Sequence, residues 1–310
     1  MSAINSKNIK FGATAVAVLV LSACGGGDEA AVSSVSIFST DPSSIEVKRS
    51  TTDKPYTFGV NGQYKLASES CGPSSASYSV QETTNAVVYS NGSVSVDDLV
   101  SAARFTEASI LTLRALFKLP QTVGVSGEKL RVCVGNNFSG GSAGYNTLSV
   151  ERRSDQRLAA LIHHEMVHVY QSYAMKCVNN FLPEEKWFVE GMAEAVSSSG
   201  RDSLAEIRSS RSLFTGATKS PYDEINARVY PNFSKYPAYT SAYDVALGEA
   251  KKTHLDAFNF LKKHGDELGC NPSPGFNGWK SRFDAFFGIE LRGSGPVGSG
   301  FWDVLPKYLK

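Results

Sequence analysis

The chain has 310 residues, of which 42% are hydrophobic and 20% charged, with a formal net charge of +1. That balance belongs to ordinary globular proteins, and its length allows one unit with a sizeable core. With no basic run and no strongly basic balance, nothing favours nucleic acid as a partner.

The N-terminus reads as a targeting segment. Lys7 and Lys10 precede an apolar run over residues 11–21, too short to span a bilayer. It ends in Leu21-Ser22-Ala23-Cys24, which resembles a bacterial lipobox. The resemblance implies a signal peptide over residues 1–23, cleavage before Cys24 and acylation of Cys24. Gly25, in the place where Asp would redirect sorting, implies the outer membrane. An ordinary secretory signal with an incidental Cys24 is the alternative. Acyl chains hold firmly, because each buried CH₂ contributes about 0.8 kcal/mol.

Residues 24–83 are rich in Ser, Thr, Gly and Ala. They read as the lipidated cysteine, a flexible tether and a small β-rich extension, with β-like pieces at 35–38 and 56–60. No repeats are evident, and no later stretch is long and apolar enough to cross a membrane. Cys71, Cys133, Cys177 and Cys270 make an even set in an oxidising compartment, which implies two structural disulfides. Three connectivities are open, with Cys71–Cys133 and Cys177–Cys270 as our working pairing.

Residues 85–90 are short and β-rich, and Asn91-Gly92 marks a turn. Ser95 is then a candidate N-cap, with Asp98 three residues on. Acids at Asp97 and Asp98 and apolar positions from Leu99 to Phe117 predict a long amphipathic helix over 99–119, ended by Pro120. Residues 130–134 form a strand. A Gly/Ser loop over 139–144 leads to another at 145–150, just ahead of the most informative stretch.

That stretch is His164-Glu165-Met166-Val167-His168, an H-E-x-x-H pattern. A helix turns about 100° per residue, so His164 and His168 lie one above the other and can aim two imidazoles at one ion. Glu165, one step round, stands beside the ion, where it can accept a proton from an attacking water. Two ordinary histidines on a helix are the plainer reading. The apolar run over residues 158–162 weighs against it, because buried His and Glu side chains are costly without a compensating charge. His163 projects elsewhere and reads as a structural or supporting residue.

A third ligand is needed, since a catalytic zinc takes three protein groups and keeps one position open. The extended metzincin pattern requires Gly and His three and six residues after His168. Gln171 and Ala174 stand there, so that class is out. Downstream, Trp187-Phe188-Val189-Glu190-Gly191-Met192-Ala193-Glu194 reads W-x-x-E-G-x-A-E. In combination with H-E-x-x-H it resembles the gluzincin metallopeptidases, closest to the bacterial peptidase-MA-like branch. The resemblance covers about residues 84–310, with specific motifs only at 164–168 and 187–195.

What the resemblance implies is an α+β, zincin-like fold over 84–310. A small mixed sheet and the zinc-site helix occupy the N-terminal lobe, and the C-terminal lobe is helical. It implies one Zn²⁺ on His164, His168 and Glu190, Glu165 as general base, and Glu194 orienting His164. Residues 145–150 become the sheet edge bordering the cleft, either receiving substrate backbone as an added strand or serving as an edge strand alone. The C-terminal helices, expected from Tyr239, over 255–263, 279–287 and 302–309, close the other side. A tyrosine there stabilises the oxyanion: Tyr239 by position, then Tyr243 and Tyr236, with packing as the competing role for all three. His254 and His264 have no metal spacing and read as structural or exposed.

The expected protein is thus a monomeric, membrane-anchored zinc peptidase of the cell envelope, acting on a peptide or protein. The lack of a G-x-M-E-N-like segment near Tyr145 leans toward endopeptidase action. A non-catalytic binding lipoprotein on the same scaffold is the rival, and a zinc hydrolase of non-peptide amides a third reading.

Overall fold

The structure is a computed structural model, which describes residues 37–49, 79–90, 94–136, 140–176, 186–197, 236–268, 282 and 285–287. By its contacts the chain divides into Met1–Val35 and Ser36–Lys310, and every described residue belongs to the second unit. Cys24, the targeting segment, the 56–60 and 302–309 elements and Cys71, Cys177 and Cys270 lie outside the described residues.

Six strands form one mixed sheet: β1 (Lys48–Arg49), β2 (Ser79–Glu82), β3 (Ala86–Ser90), β4 (Leu130–Gly135), β5 (Gly141–Ala143) and β6 (Thr147–Glu151). Their order is β1-β2-β3-β4-β6-β5. The pairs β3–β4 and β4–β6 are parallel, and the remaining three are antiparallel. The central strands are buried at nearly every position, as parallel strands covered on both faces are. Thus β1 and β2, from the stretch read as tether and extension, join the same sheet as β3. Residues 37 and 38, in the β-like piece expected at 35–38, form a bend rather than a strand.

The sheet edge lies elsewhere than the sequence suggested. Residues 145–150 were expected to border the cleft, yet β6 runs between β4 and β5. The Gly/Ser loop folds back as β5 and covers it. Strand propensity at Leu148 and Val150 fits an inner strand as well as an edge, and the glycine-rich loop hides a strand whose side chains are too small to announce it.

Between β3 and β4 the chain crosses over through α1 (Val96–Leu116). Ser95 Oγ accepts the Asp98 N–H at 3.1 Å and donates to Asp98 Oδ2 at 2.8 Å, while Asp97 and Asp98 face the positive end of the helix dipole. The helix ends sooner than Pro120 alone would require, because Lys118 turns left-handed at φ 51°. Below it, buried Glu107 accepts from Thr83 Oγ1 at 2.6 Å and Asn85 N at 2.9 Å. These bonds pin the turn before β3 onto α1.

The helix carrying H-E-x-x-H is α2 (Asp155–Met175), stopped where Lys176 adopts φ 53°. It packs on α1 and against β5 and β6. Then come α3 (Lys186–Ser197), α4 (Tyr236–Ala250) and α5 (His254–Leu268). One core joins these helices to the sheet through residues such as Val132, Leu148, Met166, Phe188 and Tyr243. The Phe117 and Phe258 rings stack at 4.3 Å and tie the end of α1 to α5. The described part is therefore a mixed sheet with helices, compatible with an α+β class. Cys133, buried on β4, is disulfide-bonded. No helix among the described residues is long and apolar enough to cross a membrane.

Candidate metal centre

Helix α2 carries sixteen buried residues, and among them are His163, His164, Glu165, His168 and Gln171. Such a polar set inside a core is tolerable only if its hydrogen-bonding and charge demands are met locally. Each demand can be traced.

His163 turns to α1. Its Nδ1 meets Ser109 Oγ at 2.7 Å, and Phe38 packs edge-on at 5.4 Å between ring centroids. Burial, with the neighbouring His164 charge, holds its pKa down at about 4, so it is a neutral core histidine. It takes no part in the cluster described next.

His164 and His168 face the other way, toward Glu190 on α3. His164 Nε2 lies 3.1 Å from His168 Nε2 and 3.5 Å from Glu190 Oε2, and His168 Nε2 lies 3.3 Å from the same oxygen. Behind His164, Nδ1 is 3.1 Å from Glu194 Oε1. Glu194 follows Glu190 by four residues, one turn along the same face of α3. Behind His168, Nδ1 is 2.8 Å from Gln171 Oε1, and Gln171 Nε2 donates to Val189 O at 3.0 Å. Because each Nδ1–H is committed to an acceptor behind it, each Nε2 presents a lone pair to the shared space in front.

Two lone pairs and a carboxylate oxygen converging at these distances repel one another unless a cation stands between them. A metal bound through bonds of about 2.0–2.1 Å sets tetrahedral ligands about 3.3–3.4 Å apart. The three observed separations bracket that figure. His164, His168 and Glu190 therefore form a group that can hold a metal ion. In the metal-free state a proton takes its place. Burial alone would lower the His164 pKa, but hydrogen bonds to Glu190 and Glu194, with the charges of Glu165 and Glu194, carry it up to about 10. Glu190, which burial would raise, is held well below the usual carboxylate range by the facing His168 charge and its bonds to both imidazoles.

Glu165 is buried beside this group. Desolvation pushes its carboxyl up, against the opposing charges of His164 and His168. Its other neighbour is the backbone of β5. A methyl group on Gly141 would sit 2.5 Å from Glu165 Oε1 and from Cγ, so the carboxyl occupies the space that any other side chain would fill. Gly140 O and Gly144 N bond to β6, which sets the alternation along β5. The N–H and C=O groups of Gly141 and Ala143 consequently point away from β6, to the outer edge of the sheet.

Tyr239 and Tyr243 separate in role. Tyr239, 5% exposed, has its phenol pushed up to about 12 by burial and then by the Glu190 charge, which places it near the cluster. Tyr243 is fully buried, packs on Phe188 and shares a hydrogen bond with His254 Nδ1 at 3.2 Å. It belongs to the core, and half-buried His254 packs against it. The side chain of Tyr236 lies outside the described residues. Gly191 makes the approach of α4 possible. A methyl there would run into Tyr239 O and come within 2.7 Å of Tyr243 Cβ, so the glycine beside Glu190 lets the two helices meet backbone to backbone.

Two contributors were not legible as such. Gln171 entered the sequence reading only as a departure from another zinc pattern, although its position three residues after His168 puts it on the same helical face. Gly141 gave no signal, because its role is set by a fold-distant side chain. The fold and the residues define a candidate metal centre of two histidines and a carboxylate. No family model matches the chain, and no curated protein or solved structure matches it either.

Proposed function

We propose that this protein is a zinc-dependent peptidase of the zincin type, anchored to the cell envelope through Cys24. The observation that carries the reading is the spacing of three ligand atoms, with Glu165 set between them and β5, the outermost strand of the sheet among the described residues. Two imidazoles and one carboxylate on a helix pair match the donor preference of zinc, and such a three-ligand set leaves a position for water or substrate.

A zinc ion bound there supplies Lewis acidity, favouring ionisation of a water and polarising a carbonyl. The remaining steps belong to the chain. The outer edge of β5 offers Gly141 and Ala143 backbone groups to an extended peptide, which adds as a further strand and lays a carbonyl across the centre. Glu165 accepts a proton from the attacking water and delivers it to the departing amide nitrogen. Tyr239 donates its phenolic proton in a hydrogen bond to the oxyanion, and a phenol kept neutral well past pH 10 remains a donor throughout. Glu194 and Gln171 hold the imidazoles from behind.

The test is zinc content together with cleavage of a denatured protein or a peptide library, comparing wild type with Glu165→Gln. The reading requires zinc in both proteins and cut sites only in wild type. Zinc in both and cutting in neither makes the protein a binding lipoprotein on a zinc scaffold. The chain is proposed to act as a monomer on peptide or protein, and cut-site mapping from the same library separates endo- from exopeptidase action.

A further inference from the structure

The two imidazoles of the centre are supported differently, and that asymmetry points to Gln171. His164 leans on a carboxylate, Glu194, contributed by α3. His168 leans on a neutral amide contributed by its own helix, one turn further along. Gln171 is fully buried, and both ends of its amide are engaged.

The two contacts together leave no ambiguity about which end is which. Val189 O is a carbonyl and only accepts, so the amide nitrogen must face it. Gln171 Oε1 then faces His168 Nδ1, which must be the protonated nitrogen. The His168 Nε2 lone pair is thereby directed at the ligand position. No other side chain makes this pair of contacts. Glutamate sets an acceptor against the Val189 carbonyl, asparagine is one methylene too short to span both, and methionine fills the volume but bonds to neither.

Val189 immediately precedes Glu190, so the same amide that fixes His168 also tethers the helix delivering the third ligand. One side chain sets a tautomer on α2 and holds α3 at the distance where His168 Nε2 and Glu190 Oε2 stand 3.3 Å apart. It does so without adding charge to a site that already buries Glu165 and Glu194 and half-buries Glu190.

We propose that Gln171 is a positioning residue of the metal centre, coupling the tautomer of His168 to the placement of Glu190 through the Val189 carbonyl. The inference rests on the metal-site part of the function proposed above and not on turnover. Partners behind a metal ligand typically change metal affinity by about 10- to 100-fold.

The experiment measures zinc affinity of the full mature protein by competition with a chromophoric chelator, in wild type, Gln171→Met and Gln171→Glu. The Nδ1–H proton resonance of His168 is followed in the zinc-loaded proteins. Glu107→Gln, which breaks a buried network on α1, serves as a destabilised control. The expected result is a loss of about 10- to 100-fold in Gln171→Met, with a rapidly exchanging His168 Nδ1–H. Gln171→Glu should lose affinity but keep that resonance, since it still accepts from Nδ1–H, and the control should bind zinc as wild type does. Wild-type affinity in both Gln171 variants, or an equal loss in the control, overturns the assignment and reduces Gln171 to core packing. If wild type itself takes up no zinc, the metal centre and this inference fall together. If wild type binds zinc but cleaves nothing, only the peptidase reading fails.

Discussion

Gly141 lies against Glu165 so closely that the carboxyl of one fills the side-chain space of the other. A strand edge and a buried acid from the neighbouring helix are thus fitted to each other before any substrate arrives. Gly141→Ala should displace the Glu165 carboxyl while leaving the three ligands in place. Misplacing a reacting group by about 1 Å costs on the order of 100-fold in rate. Peptide turnover should fall by about that factor with zinc content unchanged, and a variant with wild-type kcat would show that Glu165 has room to move aside harmlessly.

Glu165→Gln keeps nearly the same shape and removes the proton acceptor. Its zinc content, read by elemental analysis, should match wild type, while peptide cleavage drops by about 10²- to 10⁴-fold. His164→Ala is the complement: it should lose the metal, and full occupancy in that variant would contradict the ligand assignment.

Tyr239→Phe and Tyr243→Phe separate chemistry from packing. The first removes a donor near Glu190 and should lower kcat by about 10²- to 10³-fold with little change in melting temperature. The second removes a part-buried hydrogen bond to His254. It should cost about 1 kcal/mol of stability and leave kcat intact. Reversed phenotypes would exchange the two roles.

Gly191→Ala tests how closely α3 and α4 must meet. The added methyl has nowhere to go between Tyr239 O and Tyr243 Cβ, and overpacking of this kind costs about 1–3 kcal/mol. Denaturant unfolding of the zinc-free protein should register that loss. An unaltered midpoint would mean the helices separate freely.

His163 and His164 are adjacent yet titrate in opposite senses. His163 is held at about 4, below its ordinary 6.5, so its contribution is complete above pH 6.5 and lost as pH falls from 6.5 toward 4. That limb is worth up to about 3 kcal/mol. Glu190, held below its ordinary 4.5, adds to it at lower pH still. His164 is held up at about 10, so its contribution is complete below pH 6.5 and lost as pH rises from 6.5 to 10. Glu165, whose carboxyl burial pushes above its ordinary 4.5, also loses its contribution as pH rises. The metal-free protein should therefore melt highest between about pH 4.5 and 6.5 and lose stability on both sides. Zinc replaces the proton on His164, so loading should abolish that residue's part of the alkaline limb and leave the acid one. Melting temperatures across pH, with chelator and with zinc, read both limbs directly.

Much of the centre was written locally. H-E-x-x-H fixes its own geometry, since the helix repeat alone stacks His164 over His168 and sets Glu165 aside. The same repeat puts Glu194 one turn beyond Glu190 and Gln171 one turn beyond His168. The capping of α1 by Ser95 and the runs of strands β3, β4 and β6 were likewise legible, because periodicity and end signals act within a few residues.

Other features depended on residues that chain order keeps apart. That Glu190 reaches the histidine pair depends on α3 packing against α2, through Gln171 and Val189. The inner position of β6 depends on a glycine loop folding back as β5. That Gly141 must be glycine depends on Glu165, and Gly191 on Tyr239. These are matters of close approach between distant segments, decided by excluded volume and by the pairing of buried polar groups. A local pattern supplies the chemical groups and their facing; only the packed chain sets the distances at which they act.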